Sequence, residues 1–301
     1  MAEQRVNVHI PSRPAVLDSV RLRNIQLPLP TAPDPWHRTG KPQPCTASLK
    51  LSYSSAVAAA NADDVSLSLD YGKLYRRLDE DIRNMAASNN SKHMISLEGS
   101  RRDEMLRAET GQDVRLTAGL VANCGLGLLD ETAAGVRRMA HVQQSRRRSS
   151  ASASEARSAM STNPASLSSS GSGGPIDDVF GQCEVWLHLP KALLRAENGL
   201  HYRSSTVWGY RQGSIAGGGG DAASSERCPV VLEEEFRIEG IRCYCILGVN
   251  SHERVERQAV MISLEFKGPG QLAWGSTVVD TYQAMTRAVA EVGPFFGLAI
   301  Q

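Results

Sequence analysis

Apolar and polar residues alternate along several short stretches of the chain, as they do in strands that bury one face. The first half holds two such stretches, Val16–Leu29 and Thr46–Tyr53, separated by a proline-rich segment that cannot continue a sheet ladder. Two more lie at Glu184–Leu189 and His201–Tyr210, with a proline–lysine turn between them. The last stretch, Ile241–Phe266, predicts a strand, a tight loop and a second strand.

Helical spacing of apolar residues appears in three other places. Leu74, Leu78 and Ile82 recur every turn and predict an amphipathic helix that begins shortly before them. The segment Val114–Val142 predicts a second helix, although its glycines lower the helical propensity. A third helix is predicted at Val278–Val292, and the whole pattern therefore indicates an α+β protein.

Three segments are too polar or too rich in glycine to bury a core of their own. Residues 1–15 predict a disordered arm, residues 143–178 a disordered insert rich in serine, and residues 212–228 a flexible linker. The insert carries a basic cluster, Arg146–Ser150, that is compatible with a phosphorylation or nucleic-acid site. Its low-complexity composition favours a solvated linker instead.

Short sequences recur in the chain with a long period. VRLRNI at Val20–Ile25 is similar to FRIEGI at Phe236–Ile241, and QPCTASLKL at Gln43–Leu51 is similar to QAVMISLEF at Gln258–Phe266. An internal repeat of this kind predicts two related structural units. Residues 16–211 form the first unit, with the predicted order strand, strand, helix, helix, strand, strand. Residues 229–301 form a partial second unit with strand, strand and helix only.

Composition narrows the class of protein without choosing a function. The net charge of +1 over 301 residues argues against a general nucleic-acid binder. The six cysteines contain no C-x-x-C pair, so neither a disulfide framework nor a zinc framework is indicated. The first residues lack the apolar centre of a signal peptide, and no apolar run is long enough to span a membrane. A soluble protein of the cytoplasm is therefore expected.

Three short motifs give the chain a resemblance to a known family. They are Gly248-Val249 with Glu253-Arg254 and Gln258 in the last hairpin, Ala62–Val65 through Leu69–Tyr71 before the first helix, and Leu189–Ala192 with Asn198–Leu200 at the proline–lysine turn. In this order and spacing they resemble the dihydroneopterin aldolase family, and the chain is similar to the tandem fungal proteins of folate biosynthesis. The resemblance implies the tunnelling fold (T-fold), in which a four-stranded antiparallel sheet carries two helices on one face. The chain would hold one full unit and a partial second one.

The resemblance also implies a reaction. The family is a group of lyases that split 7,8-dihydroneopterin by a retro-aldol reaction into 6-hydroxymethyl-7,8-dihydropterin and glycolaldehyde. No cofactor, metal or Schiff base is implied, because the pterin ring accepts the electrons. A carboxylate would bind the guanidine-like edge of the pterin. A lysine and a tyrosine would move a proton from the side-chain hydroxyl to the carbon that leaves as an enol.

Four residues match the family's catalytic positions, and each also has a simpler interpretation. The implied proton-shuttling lysine is Lys191, which could equally be an exposed turn residue. The implied tyrosine is Tyr71 in the first unit and Tyr282 in the second, where a tyrosine packed on the core is the alternative. The implied hairpin carboxylate is Glu253, which on its own would be a solvated edge charge.

The chain departs from the family pattern in both units. Arg38 stands at the Glu253 position of the first unit, so that hairpin is expected to be non-catalytic. The implied pterin-binding acid is Asp130, with Asp70 as a second substrate-binding candidate. Since the second unit has no lysine turn, a complete set would need Lys191 and Asp130 from one unit with residues of the other. The alternative is a catalytically incomplete pterin-binding or assembly subunit.

Three further expectations concern assembly, packing and metals. The family assembles its sheets side by side, which implies a homo-oligomer with sites between units and a pterin as the small-molecule partner. A second unit with two strands and one helix would leave a sheet edge open, with Pro294–Gln301 poorly packed. Glu184–Leu189 is expected to pair with Val207–Tyr210. A zinc enzyme of the same fold is disfavoured, because the histidines show no paired spacing.

Overall fold

The computed structural model describes residues 8–27, 35–36, 43–53, 68–95, 114–154, 180–211, 226–269 and 273–292. Within these ranges the chain forms seven strands and three helices, in an α+β arrangement. In chain order they are β1 (Val8–His9), β2 (Asp18–Leu27), β3 (Cys45–Tyr53), α1 (Tyr71–Ile95), α2 (Val114–Ser154), β4 (Gly181–Leu189), β5 (Ala196–Arg211), β6 (Glu226–Cys245), β7 (Gln258–Pro269) and α3 (Ala273–Val292).

All strands belong to one antiparallel sheet that runs through both predicted units. The order across the sheet is β2-β3-β4-β5-β6-β7, and the short β1 pairs with the end of β5. From β2 to β7 each strand neighbours the next one in the chain, although the helices α1 and α2 separate β3 from β4 in the sequence. The strand and helix order predicted for each unit is confirmed, and the sheet continues from the first unit into the second through β5 and β6.

The helices lie on one face of this sheet. Alternate strand residues such as Leu49, Leu187 and Tyr202 are buried on that face, which is how the period-two pattern of the sequence creates a core. The predicted stripe of α1 is fully buried in the same core. A Cβ added at Gly125 of α2 would meet Leu51 and Cys183, so this helix lies almost directly on β3 and β4.

A bulge in β6 keeps its buried residues aligned with the core. The register with β7 shifts between Ile238 and Ile241, and Gly240 between them has a φ of 76°. Glycine adopts this left-handed conformation without the cost that a Cβ would bring. The shift changes the buried side of the strand from even to odd positions, and Ile238, Ile241, Cys243 and Cys245 are all buried as a result.

The pairing predicted between the two strands of the proline–lysine turn is correct in its partners and wrong in its register. Leu189 faces Leu200, and Gln182 faces Val207, so Glu184–Leu189 pairs with residues 200–205 and not with Val207–Tyr210. The reason is that β5 begins at Ala196, directly after a short turn. A short turn places the residues nearest to it opposite each other.

The second helix is longer than the sequence pattern indicates. It continues to Ser154, although residues 143–154 fall in the predicted disordered insert. Between Val136 and Ser154 the chain has neither glycine nor proline, and it contains strong helix formers such as Ala, Arg, Gln and Met. The remainder of the predicted insert, residues 212–225 of the predicted linker and Pro294–Gln301 lie outside the described residues. Two predictions are wrong in part: Val8–His9 of the predicted disordered arm form a strand paired with β5, and residues 226–228 of the predicted linker begin β6.

The two ends of the sheet differ in what they carry. We call one end of the sheet the hairpin end. There β2 is joined to β3, β4 to β5 and β6 to β7, and the last pairs are Leu27–Cys45, Leu189–Leu200 and Cys245–Gln258. At the opposite end of the sheet β5 ends and β6 begins, with Arg211 paired to Glu226. Along the sides, β7 has a partner on one side only in the described part of the chain, as predicted for an incomplete unit. None of the helices described is both long and apolar enough to cross a membrane.

Candidate functional site

Lys191 lies in the turn between β4 and β5, at the hairpin end, with its side chain exposed. The turn is tight, since the amide of Ala192 donates to the Leu189 carbonyl at 3.4 Å. Gly199 closes it from the other side with a φ of 74°, and a Cβ there would lie 2.3 Å from the Leu189 carbonyl oxygen. Ala192 and Leu193 are buried, so they anchor the turn while Lys191 points away from the core.

Glu253 organises the loop between β6 and β7 at the same end of the sheet. One carboxylate oxygen accepts hydrogen bonds from the amides of Val249 (2.8 Å) and Asn250 (3.1 Å). The other accepts one from the Asn250 side-chain amide at 3.0 Å. These bonds to Asn250 and Val249 hold the pKa of Glu253 below its ordinary value, because they favour the ionised form. The carboxylate thus stabilises its own loop.

Two further residues of the predicted motif complete this loop. The Arg254 guanidinium donates to the carbonyl oxygen of Gly248 at 2.8 Å. The Gln258 side-chain amide donates to the carbonyl oxygen of Leu247 at 3.0 Å. Gly248 itself has a φ of 152°, and a Cβ there would lie 2.3 Å from that of Glu253. The glycine, acid, arginine and glutamine of the motif therefore form one hydrogen-bonded loop, with Val249 exposed at its tip.

The Lys191 turn and the Glu253 loop belong to neighbouring hairpins. The amide of Arg242 in β6 donates to the carbonyl of Arg195 in the turn at 3.2 Å, and Arg242 also forms an ion pair with Glu197. The structure therefore brings the predicted lysine of the first unit and the predicted acid of the second to one end of one sheet.

Tyr282 occupies a different place. It lies in the middle of α3 with only 4 % of its surface exposed, and its ring is tilted against Phe236 at 5.8 Å. Burial raises its pKa to about 12, while the side chain of Gln283 acts in the opposite direction. Since Phe236 and its partner Tyr202 are both buried, Tyr282 is a core residue of this chain.

Tyr71 and Asp70 begin α1. Asp70 accepts hydrogen bonds from the amides of Gly72 (2.8 Å) and Lys73 (3.1 Å), which is the geometry of a helix N-cap. Tyr71 is 68 % exposed and makes no part of the core. The structure thus gives Asp70 a structural role and leaves the Tyr71 ring accessible.

Asp130 lies on α2 and forms an ion pair with Arg227 near the start of β6. The guanidinium of Arg227 also lies over the rings of Trp208 (5.1 Å) and Tyr210 (5.7 Å). Arg227 pairs with Tyr210 beside the end of the sheet that is opposite to Lys191. Asp130 is therefore not brought together with Lys191 or Glu253 within one chain.

The face of the sheet that the helices leave open carries a cleft that the sequence patterns did not single out. Its volume is about 280 Å³. The side chains that line it are mostly polar or aromatic, and they include Asn24, Thr46, Ser48, Trp186, His188, His201, Arg203, Glu235 and Arg237. The sequence does contain one indication of this face, which is the polar positions in the alternating strands. These positions predict which residues lie on the open face, but they do not predict which of them contact each other.

Charged side chains on this open face are paired across strands. Arg203 donates to Glu184 at 2.8 Å, and its guanidinium lies 5.9 Å from the Trp186 ring centre. Burial acts to raise the pKa of Glu184, but hydrogen bonds and charges from Arg203 and Lys50 outweigh it, and the pKa is lowered. Arg237 is similarly shared between Glu239 (2.9 Å) and Glu235 (3.1 Å). The open face is a network of compensated charges.

The described residues contain no group of three or more His, Cys, Asp or Glu side chains that could hold a metal ion. All six cysteines are free thiols. Searches of protein-family models, of curated proteins and of solved structures found no match to this chain. The functional assignment consequently depends on the motifs and on where the fold places them.

Proposed function

We propose that the protein is a dihydroneopterin aldolase-like lyase, with one T-fold unit followed by a partial second one. The observation that carries the proposal is the position of Lys191 and Glu253 on adjacent hairpins at one end of a single sheet. The motif that contains Glu253 forms one closed loop through Glu253, Arg254 and Gln258. Two motifs that are far apart in the sequence therefore lie at the same end of the sheet, which supports the proposal.

The arrangement of the first unit supports the same proposal. Four consecutive strands, β2 to β5, pair in sequential antiparallel order, and α1 and α2 are inserted between the second and third of them. Both helices pack on the same face. This order of elements supports the proposal of a T-fold unit, and the same sheet is continued by the hairpin and helix at β6, β7 and α3.

In the proposed reaction, Lys191 takes the proton from the side-chain hydroxyl of the substrate. The carbon–carbon bond beside that hydroxyl breaks, glycolaldehyde leaves, and a proton is returned to the carbon that stays on the pterin. The carboxylate implied for the planar donors of the pterin is Asp130, and Glu253 is the implied hairpin acid of the catalytic set. A tyrosine lent by a neighbouring copy completes the set. Tyr71 is suited to this role because its ring is 68 % exposed, whereas Tyr282 is buried in its own chain.

The shared site requires a homo-oligomer built from sheets that lie side by side. The outer strands β2 and β7 each have one paired side in the described part of the chain, and an unpaired strand edge is a template for another strand. Size-exclusion chromatography with light scattering measures this directly. A monomer at the concentrations used for assay would contradict a site shared between copies.

The decisive assay is release of glycolaldehyde from 7,8-dihydroneopterin by the purified protein. Replacement of a residue in general acid–base catalysis lowers the rate by about 100-fold or more, and we expect this for Lys191→Ala with pterin binding retained. Lys267→Ala is a matched control, since Lys267 is also exposed but lies on the open face beside Glu265. Equal loss in both variants would contradict a specific role of Lys191.

The alternative is a catalytically incomplete subunit that binds pterin or serves in assembly. It is favoured by one observation: Asp130, the implied pterin-binding acid on the second helix, is paired with Arg227 and lies at the end of the sheet away from Lys191. On this alternative the folded wild type binds a pterin, as measured by fluorescence quenching, and releases no glycolaldehyde. A folded protein that neither binds nor cleaves a pterin would overturn both proposals.

A further inference from the structure

Two histidines lie face to face in the cleft of the open face. His188 in β4 and His201 in β5 are direct partners across the two strands. Their ring centres are 4.1 Å apart, and the ring planes differ by 9°. Stacking at this distance is favourable for neutral imidazoles and unfavourable when both rings carry a positive charge.

The pair lies in a row of side chains that crosses the sheet, and its charged neighbours come from several strands. The row continues from His188 to the uncharged Thr46 of β3, and from His201 to Arg237 of β6 and then Glu265 of β7. Glu239 of β6 approaches the Nε2 atom of His201 at 3.4 Å. The remaining charged residues lining the cleft are Arg203 of β5 and Glu235 of β6.

The pair is also connected to the turn that precedes β5. The Nε2 atom of His188 lies 2.9 Å from the carbonyl oxygen of Asn198. A carbonyl oxygen only accepts, so Nε2 carries the hydrogen and donates it. Asn198 precedes Gly199, which packs against Leu189 and Pro190 at the other side of the turn. The His188 ring therefore holds the first residues of β5, directly after the β4–β5 turn.

We propose that His188 and His201 form a pH-sensitive latch that holds the β4–β5 turn in place. In the neutral state the rings stack, and His188 holds the Asn198 carbonyl. When both rings take up a proton, two positive charges face each other at stacking distance beside Arg237. The rings then separate, and the turn from Pro190 to Arg195 is released. The latch operates whether or not the protein cleaves a pterin.

The direction of the pKa shift of His201 agrees with this geometry. Burial lowers the pKa of His201 below its ordinary value of 6.5, and the charges of His188 and Arg237 act in the same direction, while Glu239 opposes them. The folded state consequently binds this proton less tightly than the unfolded state does. The stability that the neutral His201 ring gives to the folded state is fully present above pH 6.5. It is lost as the pH falls from 6.5 through the lower pKa of the folded state.

Nuclear magnetic resonance of the full chain between pH 4.5 and 8.5 tests the latch, with the imidazole and backbone amide signals followed together. We expect the His201 imidazole and the amides of Lys191 to Arg195 to shift with a common midpoint below the ordinary value. In His188→Gln, which keeps an amide donor for the Asn198 carbonyl, the His201 midpoint rises, because the like charge is gone. The pH-dependent shift of the turn amides is then lost.

Two further variants keep the result interpretable if His188→Gln folds poorly. Glu239→Gln removes the opposing carboxylate, so the His201 midpoint falls, which is the direction opposite to that in His188→Gln. His252→Gln changes an exposed histidine of the β6–β7 loop and leaves the midpoints of the His201 ring and of the turn amides unchanged. The latch is overturned if the turn amides do not follow the His201 titration in the wild type, or if the His201 midpoint is the same with and without His188.

Discussion

Arg115, in the first turn of α2, and Glu234, in the middle of β6, form a two-pronged ion pair between the first unit and the second. The Nε atom of Arg115 lies 2.9 Å from Oε1 of Glu234, and Nη2 lies 3.1 Å from Oε2. The hydroxyl of Tyr202 donates to Oε1 at 2.8 Å. Glu234 is only 5 % exposed, so its charge depends on these partners. The pair fixes the start of α2 on the sheet.

Replacing Arg115 with alanine should lower the free energy of unfolding by about 3–5 kcal/mol, because a buried carboxylate loses its counter-charge. Urea denaturation measures this value. Arg83→Ala is the control, since Arg83 pairs with Asp79 at 2.9 Å on the surface of α1. Breaking such an exposed pair costs about 0–1 kcal/mol. Similar losses in both variants would mean that the Arg115–Glu234 pair contributes no more than a surface contact.

The Glu253 loop should loosen as the pH falls. The folded pKa of Glu253 is lowered from the ordinary value of 4.5 by its bonds to Asn250 and Val249. The stabilisation is therefore present above that value and is lost as the pH falls through the folded pKa. Hydrogen exchange at the amides of Val249 and Asn250 should accelerate in that range in the wild type. In Glu253→Gln we expect faster exchange at neutral pH and little further change in acid.

The variant Asp70→Ala should show whether Asp70 acts as the N-cap of α1 or also binds substrate. Loss of an N-cap side chain costs about 1 kcal/mol of unfolding free energy. We expect this destabilisation with unchanged pterin affinity, because both amide bonds of Asp70 are made to its own helix. Asp79→Ala, in the same helix but away from its start, is the control. If Asp70→Ala is fully folded and binds pterin more weakly than the wild type, Asp70 belongs to the binding site.

Gly240→Ala should destabilise the protein, whereas Gly119→Ala should stabilise it. Gly240 has a φ of 76°, and a Cβ there would lie 3.1 Å from the Met261 methyl group. Alanine at such a φ costs about 1 kcal/mol or more. A Cβ at Gly119, in α2, meets nothing within 4 Å. Alanine there gains about 0.5–1 kcal/mol in a helix interior. Thermal unfolding of both variants checks the opposite signs.

The elements of this fold could be predicted from the sequence because their signals are local. The alternation in Thr46–Tyr53 and the spacing of Leu74, Leu78 and Ile82 each report one buried face. The order of the strands across the described sheet was not predicted from these local signals, because β3 and β4 are adjacent although two helices separate them in the chain. The length of α2 did not follow, because a serine- and arginine-rich segment can be helical or disordered at similar cost.

The pairings that define the candidate site could not be predicted in the same way. Whether Asp130 faces Lys191 or Arg227 depends on where α2 crosses the sheet, which is a property of packing. The stacking of His188 on His201 depends on the register of β4 and β5, and a shift of one residue would have placed the rings on opposite faces. The motif containing Glu253 was visible, but its closure into a loop by Asn250 was not.

The pairing of Arg211 with Glu226 has a consequence for engineering. The chain leaves the sheet after one of these residues and re-enters it at the other, directly alongside. The distance to be bridged is therefore that of a hairpin, whatever the length of the segment between them. Because the entropy of closing a loop grows slowly with its length, foreign sequence can be inserted here, or new chain termini opened, at small cost to the sheet. A reporter domain placed at this point would leave the Lys191 turn and the Glu253 loop undisturbed at the other end.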